Sequence, residues 1–147
     1  MSIRVAFVGA GKMVSAIVKS LLRSEIFEPK EIACCSAQDG TSEKLSEETG
    51  ILRFDTIEKM LDSGTDLLVL GCKPQQLAQL PGSISESTQG TLILSIMAGI
   101  TLERLSSVFP NARNLVRSMP NTPGQIGAGA TGFLFAKPAA SKDLELI

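Results

Sequence analysis

Gly9-Ala10-Gly11 is the first place along this chain where residue type and spacing suggest chemistry. The triplet follows an apolar run, Ile3 to Val8, and precedes a stretch of helical period from about Lys12 to Arg23. Two residues without a β-carbon at a strand-to-helix turn let the backbone approach a pyrophosphate, and the start of the helix aims unpaired N–H groups and its positive dipole end at the same anion. A bare G-x-G is common in turns, but in this setting it points to a dinucleotide. The third glycine of the usual fingerprint would fall at Val14, so the helix is expected to stand slightly farther from the strand.

A site that selects NAD usually carries an acid near the end of the second strand to hold the ribose hydroxyls. Here those positions read Cys35, Ser36, Ala37 and Gln38. Without the repelling carboxylate a 2′-phosphate is tolerated, and Ser36 and Gln38 can donate hydrogen bonds to it, so NADP(H) is favoured and NAD(H) possible. Asp39 lies nearby in sequence and no arginine does, which keeps the preference modest. Histidine, tyrosine and tryptophan are absent, so this chain alone cannot run catalysis built on imidazole or phenol. Cys34 and Cys35 are adjacent and Cys72 stands apart; none has the two-residue spacing of zinc or redox motifs, so all three read as plain thiols and no metal site is expected.

Positioning these residues is the task of an α/β fold, because short apolar runs alternate with segments of helical period. Strands are predicted over Ile3 to Val8, Glu31 to Ser36, Ile51 to Phe54, Asp66 to Gly71, Thr91 to Ile96, Asn114 to Met119 and Ala130 to Phe135. The first helix buries Val14, Ile17, Val18 and Leu21; a second spans about Ser42 to Glu48 and ends at Gly50. Asp55 or Thr56 caps a third carrying Ile57, Met60 and Leu61, and Gly64 closes it. Pro74 opens a fourth that Pro81 and Gly82 break, and a fifth starts near Thr101 and ends at Phe109-Pro110. The pattern predicts a doubly wound, mostly parallel sheet of Rossmann type with helices on both faces.

At 147 residues one compact core is expected. The formal net charge is -1 and the charges are dispersed, which argues against nucleic acid or an anionic membrane as partner. The longest apolar runs, such as Leu67 to Leu70, are far too short to span a bilayer. The amino terminus enters a strand within a few residues without a leader pattern, so a cytoplasmic protein is expected.

Val116-Arg117-Ser118-Met119-Pro120-Asn121-Thr122-Pro123, continued by Gly127-Ala128-Gly129-Ala130-Thr131-Gly132, resembles the signature segment of pyrroline-5-carboxylate reductases. Gly9-Ala10-Gly11-Lys12-Met13 with Ala16-Ile17, then Lys73-Pro74-Gln75, then Ser95-Ile96-Met97-Ala98-Gly99-Ile100 look like that family's motifs in the same order. Cys72 and Met97 are small departures, at positions where the family commonly has valine and alanine. The resemblance implies reduction of 1-pyrroline-5-carboxylate to L-proline by hydride transfer from NAD(P)H, the last step of proline biosynthesis. That chemistry suits a chain without histidine, because a protonated cyclic imine accepts hydride without a simultaneous proton from the enzyme.

Carried over to matching positions, the resemblance implies that Gly9, Gly11, Lys12 and Met13 form the phosphate turn, with Ser36 near the adenosine ribose. Cys72, Lys73 and Pro74 would border the cofactor and Ala98 and Gly99 the nicotinamide. Asn121, Thr122 and Pro123 would form the floor where nicotinamide meets imine. Family members continue into a helical domain that makes a homo-oligomer and completes the substrate pocket. Residues 1–136 accordingly read as the nucleotide domain and 137–147 as a linker and the start of that helical part, with little turnover expected from this chain alone. Phe133, Leu134 and Phe135 are expected to be exposed and to favour self-association. The alternatives are a non-catalytic NAD(P)-binding regulatory module and a related imine reductase.

Overall fold

The computed structural model describes residues 3–36, 40–120 and 131–141. Seven strands form one sheet: β1 (Ile3–Val8), β2 (Ile32–Cys35), β3 (Leu52–Arg53), β4 (Thr65–Leu70), β5 (Leu92–Ser95), β6 (Asn114–Pro120) and β7 (Thr131–Phe135). Their spatial order is β3-β2-β1-β4-β5-β6-β7, with β1 to β6 parallel and β7 antiparallel to β6. That is the doubly wound order, with the strand sequence reversing direction between β1 and β4.

Among the described residues the α-helices are α1 (Lys12–Arg23), α2 (Thr41–Thr49), α3 (Ile57–Asp62), α4 (Ile84–Ser87) and α5 (Leu102–Val108). Alternation along the strands divides the core into two layers. Val5, Phe7, Cys34, Leu67 and Val69 meet Val14, Val18 and Leu45 on the α1–α2 side. Ala6, Val8, Cys35, Leu68 and Leu70 meet Met60, Leu77, Ile84 and Leu105 on the other. Because each central strand is covered on both faces, it reads as an unbroken apolar run instead of an alternation.

Turn chemistry sets most of the boundaries. Gly50 ends α2 in the left-handed region (φ 80°), and Thr56, not Asp55, caps α3 by accepting from the Lys59 amide at 3.2 Å. Thr101 caps α5 in the same way, at 3.1 Å from the Arg104 amide. Several expected elements differ: β3 and β5, like β2, are a residue shorter at each end, and α4 was not expected. Pro74–Gln79 is a 3₁₀ turn, since a segment of six residues between Pro74 and Pro81 is held by the Lys73 amide donating to Gln76 Oε1 at 2.9 Å. β2 starts at Ile32, because Pro29–Glu31 also forms a 3₁₀ turn, fastened by the Glu28 amide on Glu31 Oε2 at 2.8 Å. Asn114, buried at the start of β6, holds both the amide and the carbonyl of Lys137, at 3.0 and 3.1 Å, fixing the chain as it leaves β7.

The helix standing off at Val14 is not observed. Val14 is wholly buried, and its Cγ2 lies where a β-carbon on Gly71 would be. The space normally made by a third glycine on the helix is made instead by a glycine at the end of β4, and α1 packs against the sheet at full contact.

Candidate functional site

At the carboxyl ends of the parallel strands the loops after β1, β2, β3 and β4 converge on a cleft of about 260 Å³. Its lining includes Val8, Gly9, Cys35, Ser36, Asp55, Thr56, Glu58, Cys72 and Gln76. Gly9 has φ 102°, and a β-carbon there would lie 2.7 Å from the Gly71 carbonyl oxygen and 2.9 Å from the Cys72 nitrogen. Only glycine fits, both for conformation and for space. The turn is tied on both sides, by the Gly9 amide donating to the Cys35 carbonyl at 2.7 Å and the Gly71 amide donating to the Val8 carbonyl at 2.8 Å.

Gly11 precedes α1 as an extended N-cap with no side-chain cap, and the first turn contains no acid. The leading amides of a twelve-residue helix that begins at Lys12 are therefore left to an outside acceptor. Gly11 and Lys12 open not onto the first cleft but onto a groove of about 520 Å³ between α1 and α2, with Lys19, Lys44 and Glu48. The two concavities lie on either side of the β1–α1 turn, through Gly9 and Ala10 respectively.

Ser36 follows β2 and accepts from the Thr41 hydroxyl at 3.2 Å, linking the end of the strand to the start of α2. The neighbouring charge is what sequence reasoning missed. Register places Arg53 of β3 beside Cys34 of β2, and its guanidinium is held by Glu43 at 2.7 Å, Asp55 at 2.9 Å and Ser42 at 3.1 Å. Asp55, just after β3, and Glu58, in the first turn of α3, bring carboxylates to the cleft wall beside Ser36. The available signal was topological: in a doubly wound sheet the polar residues just after β3 share a rim with those after β2.

Cys72 is half-buried, its thiol 3.8 Å from the Met97 sulfur, and burial raises its pKa, so it serves as a neutral wall. Burial likewise raises Cys35, and raises Cys34 to about 11, helped by the adjacent Cys35. None of the three has the depressed pKa of a nucleophilic thiol. Met13, Lys73, Pro74, Ala98 and Gly99 are exposed and line neither concavity, although the last four follow β4 and β5 on the same edge of the sheet. Gln38, Asn121, Thr122 and Pro123 lie outside the described residues. Among the described residues no helix is long and apolar enough to cross a membrane.

Residues 4–99 match the family described as "NADP oxidoreductase coenzyme F420-dependent". The chain is similar to pyrroline-5-carboxylate reductase 2 of Bacillus subtilis, 32% identical over 143 residues that cover 96% of this chain and 51% of the relative. It is also similar to the pyrroline-5-carboxylate reductase of Vibrio alginolyticus, 37% identical over 136 residues covering 90% and 48%. The solved pyrroline-5-carboxylate reductase of Coxiella burnetii superposes with a TM-score of 0.85 at 24% identity, over 99% of this chain and 54% of that one. The chain spans about half the length of the curated relatives it matches.

Proposed function

Because the chain belongs to the family of oxidoreductases described as "NADP oxidoreductase coenzyme F420-dependent", we propose that it is the dinucleotide-binding half of a pyrroline-5-carboxylate reductase, with NADP(H) favoured over NAD(H). One observation carries the reading. Gly9, with no room for a β-carbon, stands in the turn that leads directly into the uncapped start of α1, at the point where strand order reverses. A diphosphate fits that cradle: backbone can approach it and the leading amides of α1 can donate to it. The names of the curated relatives support the choice of 1-pyrroline-5-carboxylate as substrate.

The bound cofactor supplies the hydride, and the contribution of this chain is position. The turn from Gly9 to Met13 fixes the diphosphate, and the cleft from Ser36 to Thr56 takes the adenosine ribose. Ala98 and Gly99, after β5, border the nicotinamide, and the family resemblance assigns Asn121, Thr122 and Pro123 to the imine. A protonated imine carries its own positive charge on carbon and nitrogen, so holding it against the hydride donor with water excluded suffices, and the absence of histidine and tyrosine does not impede the reaction. Orientation of the imine carboxylate belongs to a helical half, so this stretch alone turns over negligibly; a misplacement of ~1 Å can cost on the order of a hundredfold.

Grafted onto the carboxyl-terminal half of the Bacillus subtilis relative, residues 1–136 should give a protein that converts 1-pyrroline-5-carboxylate to proline while consuming NADPH. A graft that folds and binds NADPH but forms no proline would contradict the substrate assignment.

A further inference from the structure

Beside the cleft wall that Ser36 and Asp55 share lies a chain of polar contacts. Ser36 accepts from Thr41; the next residue, Ser42, accepts from Arg53; Arg53 donates to Asp55; and Asp55 returns to the wall that Ser36 also lines. The Arg53 guanidinium thus stands one ion pair behind the cleft wall: it does not line the cleft itself, but one of its two carboxylate partners, Asp55, does. Asp55 is the looser of the two, with its side chain 68% exposed against 45% for Glu43.

We propose that Arg53 reads the ribose 2′ position, exchanging the Asp55 carboxylate for the 2′-phosphate of NADP while Glu43 and Ser42 keep the guanidinium in place. The inference rests on the dinucleotide reading and gives it a selectivity device. A guanidinium presents its donors as a planar fork, so the edge facing Asp55 can pass to a phosphate while Nε and the other amino group remain engaged. A phosphate carries more charge than a carboxylate and more acceptor oxygens, which favours the exchange. Releasing an exposed carboxylate costs little. With NAD no exchange occurs: Asp55 stays on Arg53, and its second oxygen is available to a ribose hydroxyl. Asp55 therefore competes with the phosphate, and Glu58 on the same wall opposes it at longer range.

NADPH and NADH titrated separately into the wild-type chain, Arg53→Gln and Asp55→Asn test the exchange, with thermal melts to confirm that each variant folds. Arg53→Gln should weaken NADPH by roughly tenfold or more, the scale of one charge-assisted contact, and leave NADH within about twofold. Asp55→Asn should tighten NADPH severalfold and not NADH. Equal losses of both cofactors in Arg53→Gln, or an unchanged NADPH-to-NADH ratio in Asp55→Asn, would overturn the inference even if the first variant folds poorly. A wild-type chain that binds neither cofactor would instead remove the dinucleotide reading, and the exchange with it.

Discussion

Replacing Gly71 by alanine should damage the protein through a single contact, and the damage should be reversible at a second site. A β-carbon at Gly71 overlaps Val14 Cγ2 and otherwise meets only ordinary neighbours, Ile96 Cδ1 at 3.4 Å and the Val8 oxygen at 3.5 Å. Val14 cannot yield, because it is fully buried in the first turn of α1 and a β-branched side chain in a helix has one preferred rotamer. The helix must move, and overpacking of this kind costs about 1–3 kcal/mol. Val14→Ala alone removes two buried methyl groups, worth about 1.6 kcal/mol in transfer plus a cavity term. In the double variant the new methyl at 71 fills the space vacated at 14, so its cost should be close to that of Val14→Ala alone. The coupling should then be about 1–3 kcal/mol, well above the few tenths expected for independent sites. For a chain this long Gly71→Ala should lower Tm by roughly 3–10 °C, and the double variant should recover most of what the overlap itself costs. Urea melts of the four proteins measure the cycle. Costs that simply add would refute the idea that Gly71 does the work of the missing third glycine.

The buried thiols make a pH prediction. Cys34 binds its proton more tightly in the folded chain, where its pKa is about 11 against an ordinary 9.0, so its contribution is complete below pH 9.0 and is lost as pH rises towards 11. The loss approaches ~3 kcal/mol, and Cys34→Ala should flatten that part of the stability profile; equal slopes in wild type and variant would count against it. On β7, Phe133 and Leu134 are 41% and 48% exposed, whereas Phe135, expected to be exposed with them, is partly buried against the core. The isolated chain should self-associate through this pair, and Phe133→Ser with Leu134→Ser should reduce its mass in light scattering; a wild-type monomer at high concentration argues the other way.

Much of the fold was legible because glycine, proline and threonine mark its boundaries. The expected limits of β1 and α1 match the observed Ile3–Val8 and Lys12–Arg23, and Gly50 and Gly64 stand just beyond the helices they close. The phosphate turn was legible too, since its demands fall on adjacent residues. What escaped were contacts made only in three dimensions. Val14 looked like a defect until the end of β4 brought Gly71 against it. Arg53 looked remote from Ser36 because, although a strand was expected over Ile51 to Phe54, only the assembled sheet sets its register beside β2. Helix α4, a single turn of four residues, is too short to show a period.

Calorimetric titration of NADPH and NADH into the wild-type chain and Gly9→Ala tests the central claim most directly. Binding to the wild-type chain, tighter for NADPH, and its loss in a folded Gly9→Ala protein are predicted. No binding to the wild-type chain, or equal binding to both proteins, would contradict the assignment of the Gly9 turn as a dinucleotide site.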